Sequence, residues 1–228
     1  MDLTEDFSFF PLELNQPLFY DLDSILVFPS VGGTVYDTSY AEVRETLVEM
    51  FLEADGSESY RGERWQRANE GAPWVFVQTY TVNRTNRAAI RREDNLQFTK
   101  LNFPLTEGRS WDGHVAFDTR REIVVGGEFL DVFNGWNYRI DTVAAAITLS
   151  TGRSFENTIR VEQADVDNLI DTRIAFERYA PGVGLIERFI DARHTQCQVC
   201  CNGDTPTCLD LPWNEKAEKG FILRQTLK

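Results

Sequence analysis

Apolar and polar positions alternate along much of this chain. From residue 74 to 82, Trp74, Phe76, Tyr80 and Val82 share one face, and Val75, Val77, Thr79 and Thr81 share the other. That period of two is the signature of a half-buried strand. Shorter examples are Ile159 with Val161, Ile174 with Phe176, and Val183, Leu185 and Phe189; the chain closes on an apolar Phe221-Ile222-Leu223. Turn signals recur between them: Asp55-Gly56, Gly71-Ala72-Pro73, Asp112-Gly113, Gly126-Gly127, Thr151-Gly152 and Pro181-Gly182. Strands and turns at this spacing predict a mainly β chain: an antiparallel β-sandwich or partly open β-barrel with one or two short helices. No linker-like stretch interrupts it, so residues 1–228 are expected to form a single β-rich domain.

Three segments carry a helical period instead. Between residues 40 and 54, Tyr40, Val43, Leu47, Met50 and Phe51 fit one helical face, and Ser39 with Glu42 resembles a capping box. The same stretch ends at Asp55-Gly56, a strong hairpin signal, so a strand returning through Tyr60 to Trp65 competes with the helix. Phe129, Val132, Phe133 and Trp136 are spaced i, i+3, i+4, i+7, and a short helix is expected from Pro212 to Lys219 with Gly220 as its stop. Phe10-Pro11-Leu12 is echoed by Phe103-Pro104-Leu105, each reading as a strand start or edge.

Charge narrows the partners. The chain of 228 residues has a formal net charge of −13, which opposes binding to duplex nucleic acid and to anionic membrane surfaces. Its 16 Phe, 7 Tyr and 5 Trp are ample for a core. No apolar run reaches the ~18 residues that would cross a bilayer, and the first residues have neither the basic nor the apolar region of a signal peptide. The acidic balance is uneven. Arg61, Arg64, Arg67, Arg84, Arg87, Arg91 and Arg92 face only Glu63 and Glu70 over residues 61–92. Cross-strand pairing with Glu42, Glu45, Glu49 and Glu53 is the expected outcome; the alternative is an anion-binding patch that includes Arg61 and Arg64. Trp74 and Trp111 sit in strand-like patterns and are expected in the core. Trp136, beside Asn134-Gly135, and Trp213, beside Pro212, lie in loop-like contexts and are the candidate ligand platforms.

Specific covalent chemistry is confined to Cys197, Cys200, Cys201 and Cys208. A structural zinc site usually offers two Cys-x-x-Cys knuckles, and only Cys197–Cys200 forms one here. An even number of cysteines in a Gly-Asp-Thr-Pro turn suits disulfides, with three connectivities and the Cys200–Cys201 pairing the most strained. Such bridges would staple residues 197–208 between the Val183–Ile190 strand and the terminal strand, and would place the chain outside the cytosol. Zinc remains the alternative for the same sulfurs.

Catalytic motifs are missing. There is no His-Glu-x-x-His, Gly-x-Ser-x-Gly or phosphate-binding Gly-x-x-x-x-Gly-Lys sequence. Asp165, Asp167 and Asp171 lack the glycine of a calcium loop, Ile170 standing at its position. No catalytic residue, metal ligand or cofactor is therefore assigned.

Several motifs together resemble a family of uncharacterised cell-envelope proteins of Bacteroidota made with a lipoprotein-type signal. They are Phe10-Pro11-Leu12; Asp55-Gly56 with Tyr60 and Arg64; Trp74; Phe103-Pro104-Leu105-Thr106-Glu107-Gly108 with Trp111-Asp112-Gly113; Tyr179-Ala180-Pro181-Gly182-Val183-Gly184-Leu185-Ile186; and Lys219-Gly220-Phe221. His114 departs from the pattern, which has asparagine there. The resemblance implies a mostly β fold, a strand rather than a helix through Val43–Phe51, and an upstream lipid anchor as the sole membrane attachment. It implies a periplasmic, surface or secreted location and no settled activity. The expected function is non-enzymatic binding of a small ligand or envelope partner. A structural role in outer-membrane assembly is the second expectation, and a hydrolase built from scattered carboxylates the third.

Overall fold

The computed structural model describes residues 3–228, without the side chains of residues 201 and 202. A one-turn helix α1 (Thr4–Phe7) precedes six strands that run up and down in sequence order. These are β1 (Leu18–Ser30), β2 (Gly33–Leu52), β3 (Glu58–Arg67), β4 (Val75–Arg84), β5 (Ala88–Glu93) and β6 (Leu96–Asn102). The short strands β7 (Ser110–Trp111), β8 (Ile123–Val125), β9 (Glu128–Leu130), β10 (Tyr138–Thr142), β11 (Ile147–Thr148) and β12 (Ser154–Phe155) follow. The chain then makes β13 (Ile159–Asp167), β14 (Asp171–Ala180) and β15 (Gly184–His194). After a 3-10 turn (Cys200–Gly203), α2 (Thr205–Leu209) and α3 (Trp213–Lys216), β16 (Lys219–Leu227) ends it.

Twelve of these strands form one antiparallel sheet in the order β6-β5-β4-β3-β2-β1-β16-β15-β14-β13-β10-β7. The sheet curls until its edges meet: the Thr99 amide of β6 donates to Gly113 O (2.9 Å), just beyond β7, and the Trp111 indole donates to Thr99 O (2.8 Å). The result is a nearly closed barrel, the second of the two architectures the sequence predicts. Pairs β8–β9 and β11–β12 are separate two-stranded hairpins.

Residues 40–54 resolve in favour of the strand. Glu45 lies opposite Arg64 and Leu52 opposite Glu58, with the turn made at Gly56, whose φ of 82° suits glycine. Val43 and Leu47 are four apart, which places them on one face of a helix and equally on one face of a strand. The segment 129–136 is not a helix: β9 gives way to an irregular chain in which Leu130, Val132 and Trp136 are buried. The expected 212–219 helix is a single turn, and Gly220 lies inside β16. Trp111 joins the core, but Trp74 does not: it lies outside, half-buried, with Arg44 and Arg67 over its ring at 5.1 and 4.7 Å.

Candidate functional site: a charged layer across the barrel

The barrel interior is not uniformly apolar. Around its middle, Glu45 on β2, Arg64 on β3, Arg91 and Glu93 on β5, Lys100 on β6, Glu177 on β14 and Arg188 on β15 are buried or nearly so. Several of their contacts join strands that are not neighbours in the sheet, so they cross the lumen. Arg91, on β5, donates a bidentate pair to Glu45, on β2 (2.9 and 3.0 Å), while its Nε donates to Glu93 (2.8 Å). Lys100, on β6, reaches Glu177 on β14 at 2.9 Å. Arg64 donates to Gln225 on β16 and stands 3.6 Å from Glu45.

Glu177 is the hub. Its carboxylate accepts from Arg188 Nε (2.7 Å), Lys100 Nζ (2.9 Å), Gln163 Nε2 (2.8 Å) and Tyr179 Oη (2.6 Å). Burial alone would raise its pKa; Lys100, Arg188 and the Tyr179 hydrogen bond outweigh that and bring it down to about 2. Burial likewise opposes the charged forms of Glu45 and Glu93, and neighbouring arginines hold both below the usual carboxylate range. The Lys100 pKa is lowered too, which in a lysine favours the neutral form: burial lowers it and Glu177 only partly restores it.

Aromatic rings hold the layer in place. Tyr80 of β4 faces Gly62 of β3, and a Cβ at position 62 would fall within its ring. The ring instead lies flat against bare backbone, with the Arg91 guanidinium 3.8 Å from its centroid. Tyr138 covers Gly113 in the same way. Neither glycine carries a positive φ, so close approach rather than conformation selects it.

The layer divides the lumen into two chambers. Strand registers place the β14–β15 turn and the β5–β6 turn at opposite ends of the barrel. At the first end, a cavity of about 130 Å³ descends past Phe10, Leu18 and Val183 to Arg91, Lys100 and Arg188. At the second, a cavity of about 350 Å³ is walled by Leu96, Phe98, Phe133, Trp136, Tyr138 and Ile190. Lys100 and Arg188 line both.

Behind the wall of the larger chamber lies His114, 1% exposed, its ring 4.9–5.5 Å from those of Phe98, Phe117, Phe133, Trp136 and Tyr138. Tyr138 Oη is 3.3 Å from its Nε2, and its Nδ1 is buried without a partner, as is the indole nitrogen of Trp136. Burial, then Lys100, lowers the His114 pKa to about 4, so the ring is neutral at pH 7.

The four ligand candidates read from sequence are not brought together. Arg64 stands in the charged layer, but Arg61 lies on the outer face with Glu49 (3.0 Å) and Glu63 (2.9 Å). Trp136 lines the larger chamber and is buried, not an exposed platform. Trp213 is half-buried elsewhere, its indole donating to Asp167 (2.8 Å) with Lys216 over the ring. The expected pairing of the basic stretch does occur: Arg67 bonds Glu42, Arg64 faces Glu45, Arg61 bonds Glu49 and Arg92 stands 3.6 Å from Glu53. Sequence reasoning missed Lys100, Glu177, Arg188 and Tyr179. The available signal was the run of charges at alternate positions of strands, as at Glu177 opposite Arg188.

The cysteine segment lies between β15 and β16, where the sequence placed it. The sulfurs of Cys197, Cys200 and Cys208 lie within 4.8 Å of one another, the one such group of potential metal ligands among the described residues. Cys208 is in disulfide-like contact with both others, at Cα separations of 5.7 and 6.3 Å. One sulfur forms one disulfide, so Cys197 and Cys200 are alternative partners of Cys208. The side chain of Cys201 lies outside the described residues. Glu218 organises the knuckle by accepting the amides of Gln196 (2.7 Å) and Val199 (2.6 Å).

These features define a class: a nearly closed antiparallel barrel with an ionised layer across its lumen. No protein-family model matches the chain, and no curated protein matches it in sequence. It is similar in structure to a "putative lipoprotein" from Parabacteroides distasonis, with 11% identity and a TM-score of 0.38 over 96% of this chain and 98% of that one. It is also similar to a "putative exported protein with YmcC-like fold" from Bacteroides fragilis, with 10% identity and a TM-score of 0.36 over 96% of each chain. No helix among the described residues is long and apolar enough to cross a membrane.

Proposed function

We propose that this chain is an exported, envelope-located binding protein that takes a small molecule into the barrel lumen. The larger chamber carries this reading. At about 350 Å³ it falls within the range of small-molecule sites, and it has their usual make-up of apolar walls with a few convergent polar groups. Gln163, the cations Lys100 and Arg188, and the carboxylates Glu93, Asp94 and Glu177 supply those groups. A general-acid role for the three buried carboxylates is disfavoured, because a general acid needs a raised pKa and all three are held low by cations.

The disulfide-like contacts of Cys208 support export, since such bonds persist in oxidising compartments. Lipid attachment upstream belongs to the same proposal. Native mass spectrometry of protein from its own host tests both parts. The expected result is a co-purified small molecule at 1:1, lost when Ile190→Trp fills the chamber, and a thiol count at least two below four. An empty chain with four free thiols would overturn the reading.

An assembly role has one observation in its favour. Val75, Phe76 and Val77 are 62%, 46% and 45% exposed in succession at the start of β4, apolar surface suited to protein contact.

A further inference from the structure

We infer that residues 195–208 form a thiol–disulfide exchange site. Cys208 bonds to either Cys197 or Cys200, and the other sulfur is held beside that bond as the attacking thiol. Cys200 is the thiol of this set that meets a disulfide brought from outside.

The convergence of three sulfurs carries the proposal. Two suffice for a structural staple, yet the sulfurs of Cys197, Cys200 and Cys208 all lie within 4.8 Å of one another. The Cα atom of Cys208 is 5.7 Å from that of Cys197 and 6.3 Å from that of Cys200, both inside the range a disulfide spans without backbone movement. The two bonds close loops with sequence separations of 11 and 8, so chain entropy separates them by less than about twofold. Neither reach nor loop length fixes one pairing.

The backbone holds this arrangement in place. Cys197 has a φ of 58°, in the left-handed region that a residue with a Cβ rarely adopts. Glu218, just before β16, accepts the amides of Gln196 (2.7 Å) and Val199 (2.6 Å) on either side of it. Those bonds tie the strained residue to the last strand, and backbone strain maintained by its surroundings is concentrated at functional segments.

The step balances without an oxidant. With Cys197 bonded to Cys208, the Cys200 thiol loses its proton and its thiolate attacks the Cys208 sulfur. A Cys200–Cys208 bond forms, the Cys197–Cys208 bond breaks, and its electron pair leaves on Cys197, which takes up a proton. One disulfide and one thiol stand on each side of the step. Thr195 is placed to assist the leaving sulfur. Its buried hydroxyl accepts the Cys197 amide (3.0 Å), and its own hydrogen can turn to the sulfur of Cys197 or Cys208, each 4.0 Å away. Exposure then sets the point of entry. Cys197 and Cys208 are 1% and 0% exposed, whereas Cys200 is half-buried, so a reagent in solvent meets Cys200 first.

The test maps thiols and disulfides by peptide mass spectrometry in the whole chain, and in Cys201→Ser, which removes the fourth sulfur. Unfolding in acid with a maleimide freezes exchange, because the thiolate is the nucleophile. Cys201→Ser should then show one disulfide that always includes Cys208, with label on Cys197 in some molecules and on Cys200 in others. Folded Cys201→Ser left with iodoacetamide at mildly alkaline pH should instead gather its label on Cys200, as exchange returns each Cys200–Cys208 molecule to the form with Cys200 free. Glutathione disulfide should add one glutathionyl group at Cys200 and release one glutathione; addition at Cys197 would overturn the point of entry. The whole chain carries the same test without substitution and should keep free thiols. An equal division of label in both protocols would mean two static pairings and overturn exchange. So would a single pairing in both, no labelling of the folded chain, two disulfides in the whole chain, or free thiols holding a zinc ion.

Discussion

Strands β2 and β3 carry the same cross-strand chemistry twice, with opposite surroundings. Glu45 faces Arg64 inside the barrel, their side chains 6% and 11% exposed; Glu49 pairs with Arg61 outside, at 56% and 37%. A bulge between Leu47 and Glu49 moves the second pair to the other face. Outside, water already solvates both partners, so forming the pair changes little. Inside, each charge has lost its water and depends on the others. The residue letters are alike, and the register alone decides whether a pair decorates the surface or controls the interior.

The hub of the interior set offers the largest test of that contrast. Glu177→Gln keeps the shape but leaves Lys100 and Arg188 without their carboxylate. Loss of one partner from a buried ionic set costs about 3–5 kcal/mol, so chemical denaturation should show a lower midpoint with an unchanged slope. Wild-type Glu177 itself gives a pH dependence of known sign. Its folded pKa is lowered to about 2, so its contribution is complete above the unfolded carboxylate range and is lost as pH falls through about 2.

His114 provides a second, separable pH window. Its folded pKa is lowered to about 4, and an unfolded histidine titrates near 6.5. The unfolded chain therefore takes up the proton first, and stability falls as pH drops from about 6.5 to about 4, by up to about 3 kcal/mol. His114→Phe fits an aromatic surround and has nothing to protonate. Unfolding free energies measured across that range should flatten in the variant; an unchanged slope would assign the loss to other groups.

Gly62 tests the support beneath the interior charges. Gly62→Ala displaces the Tyr80 ring from bare backbone and with it the surface on which Arg91 lies. Overpacking of this kind costs about 1–3 kcal/mol, read as a lower melting temperature. Gly56→Ala is the outer counterpart, with no atom near the new Cβ; its cost arises only from the φ of 82°.

Much of the frame was legible in the sequence. Asp55-Gly56 and Pro181-Gly182 do turn the chain, and the terminal apolar run is the last strand. The basic stretch of 61–92 does meet the acids of 42–53. The interior chemistry was hidden for a physical reason. Pattern reading assigns apolar residues to the inside, but Glu45 lies between Val43 and Leu47 on the inward face, and Glu177 and Arg188 do the same on their strands. An inward charge breaks the alternation that would announce the strand, which is why 40–54 looked helical. Bulges at Leu47/Glu49, Arg64/Trp65 and Arg178/Tyr179 then switch faces mid-strand, so no single period spans an element. Trp74 was misplaced by the same effect, because its alternation with Tyr80 does not survive the irregularity in the β3–β4 pairing. Trp136 was chosen for its loop context and is instead a buried residue in the wall of the larger chamber.

The smallest expected effect closes the comparison from its outer side. Glu49→Gln removes the partner of Arg61, but Arg61 keeps Glu63 at 2.9 Å and remains in water. An exposed pair contributes about 0.2–1 kcal/mol, and the second acceptor reduces the loss to the lower end of that range. What remains should be screened at high ionic strength, because the charges face solvent. Denaturation of Glu49→Gln in dilute buffer and in about 1 M salt, where the Debye length is about 3 Å, should therefore give wild-type stability in the second case. The Glu177→Gln deficit should largely persist in the same salt, because buried charges are screened much less than exposed ones. Equal salt sensitivity of the two variants would mean that water and ions reach the centre of the lumen, and the distinction between inner and outer pairs would fail.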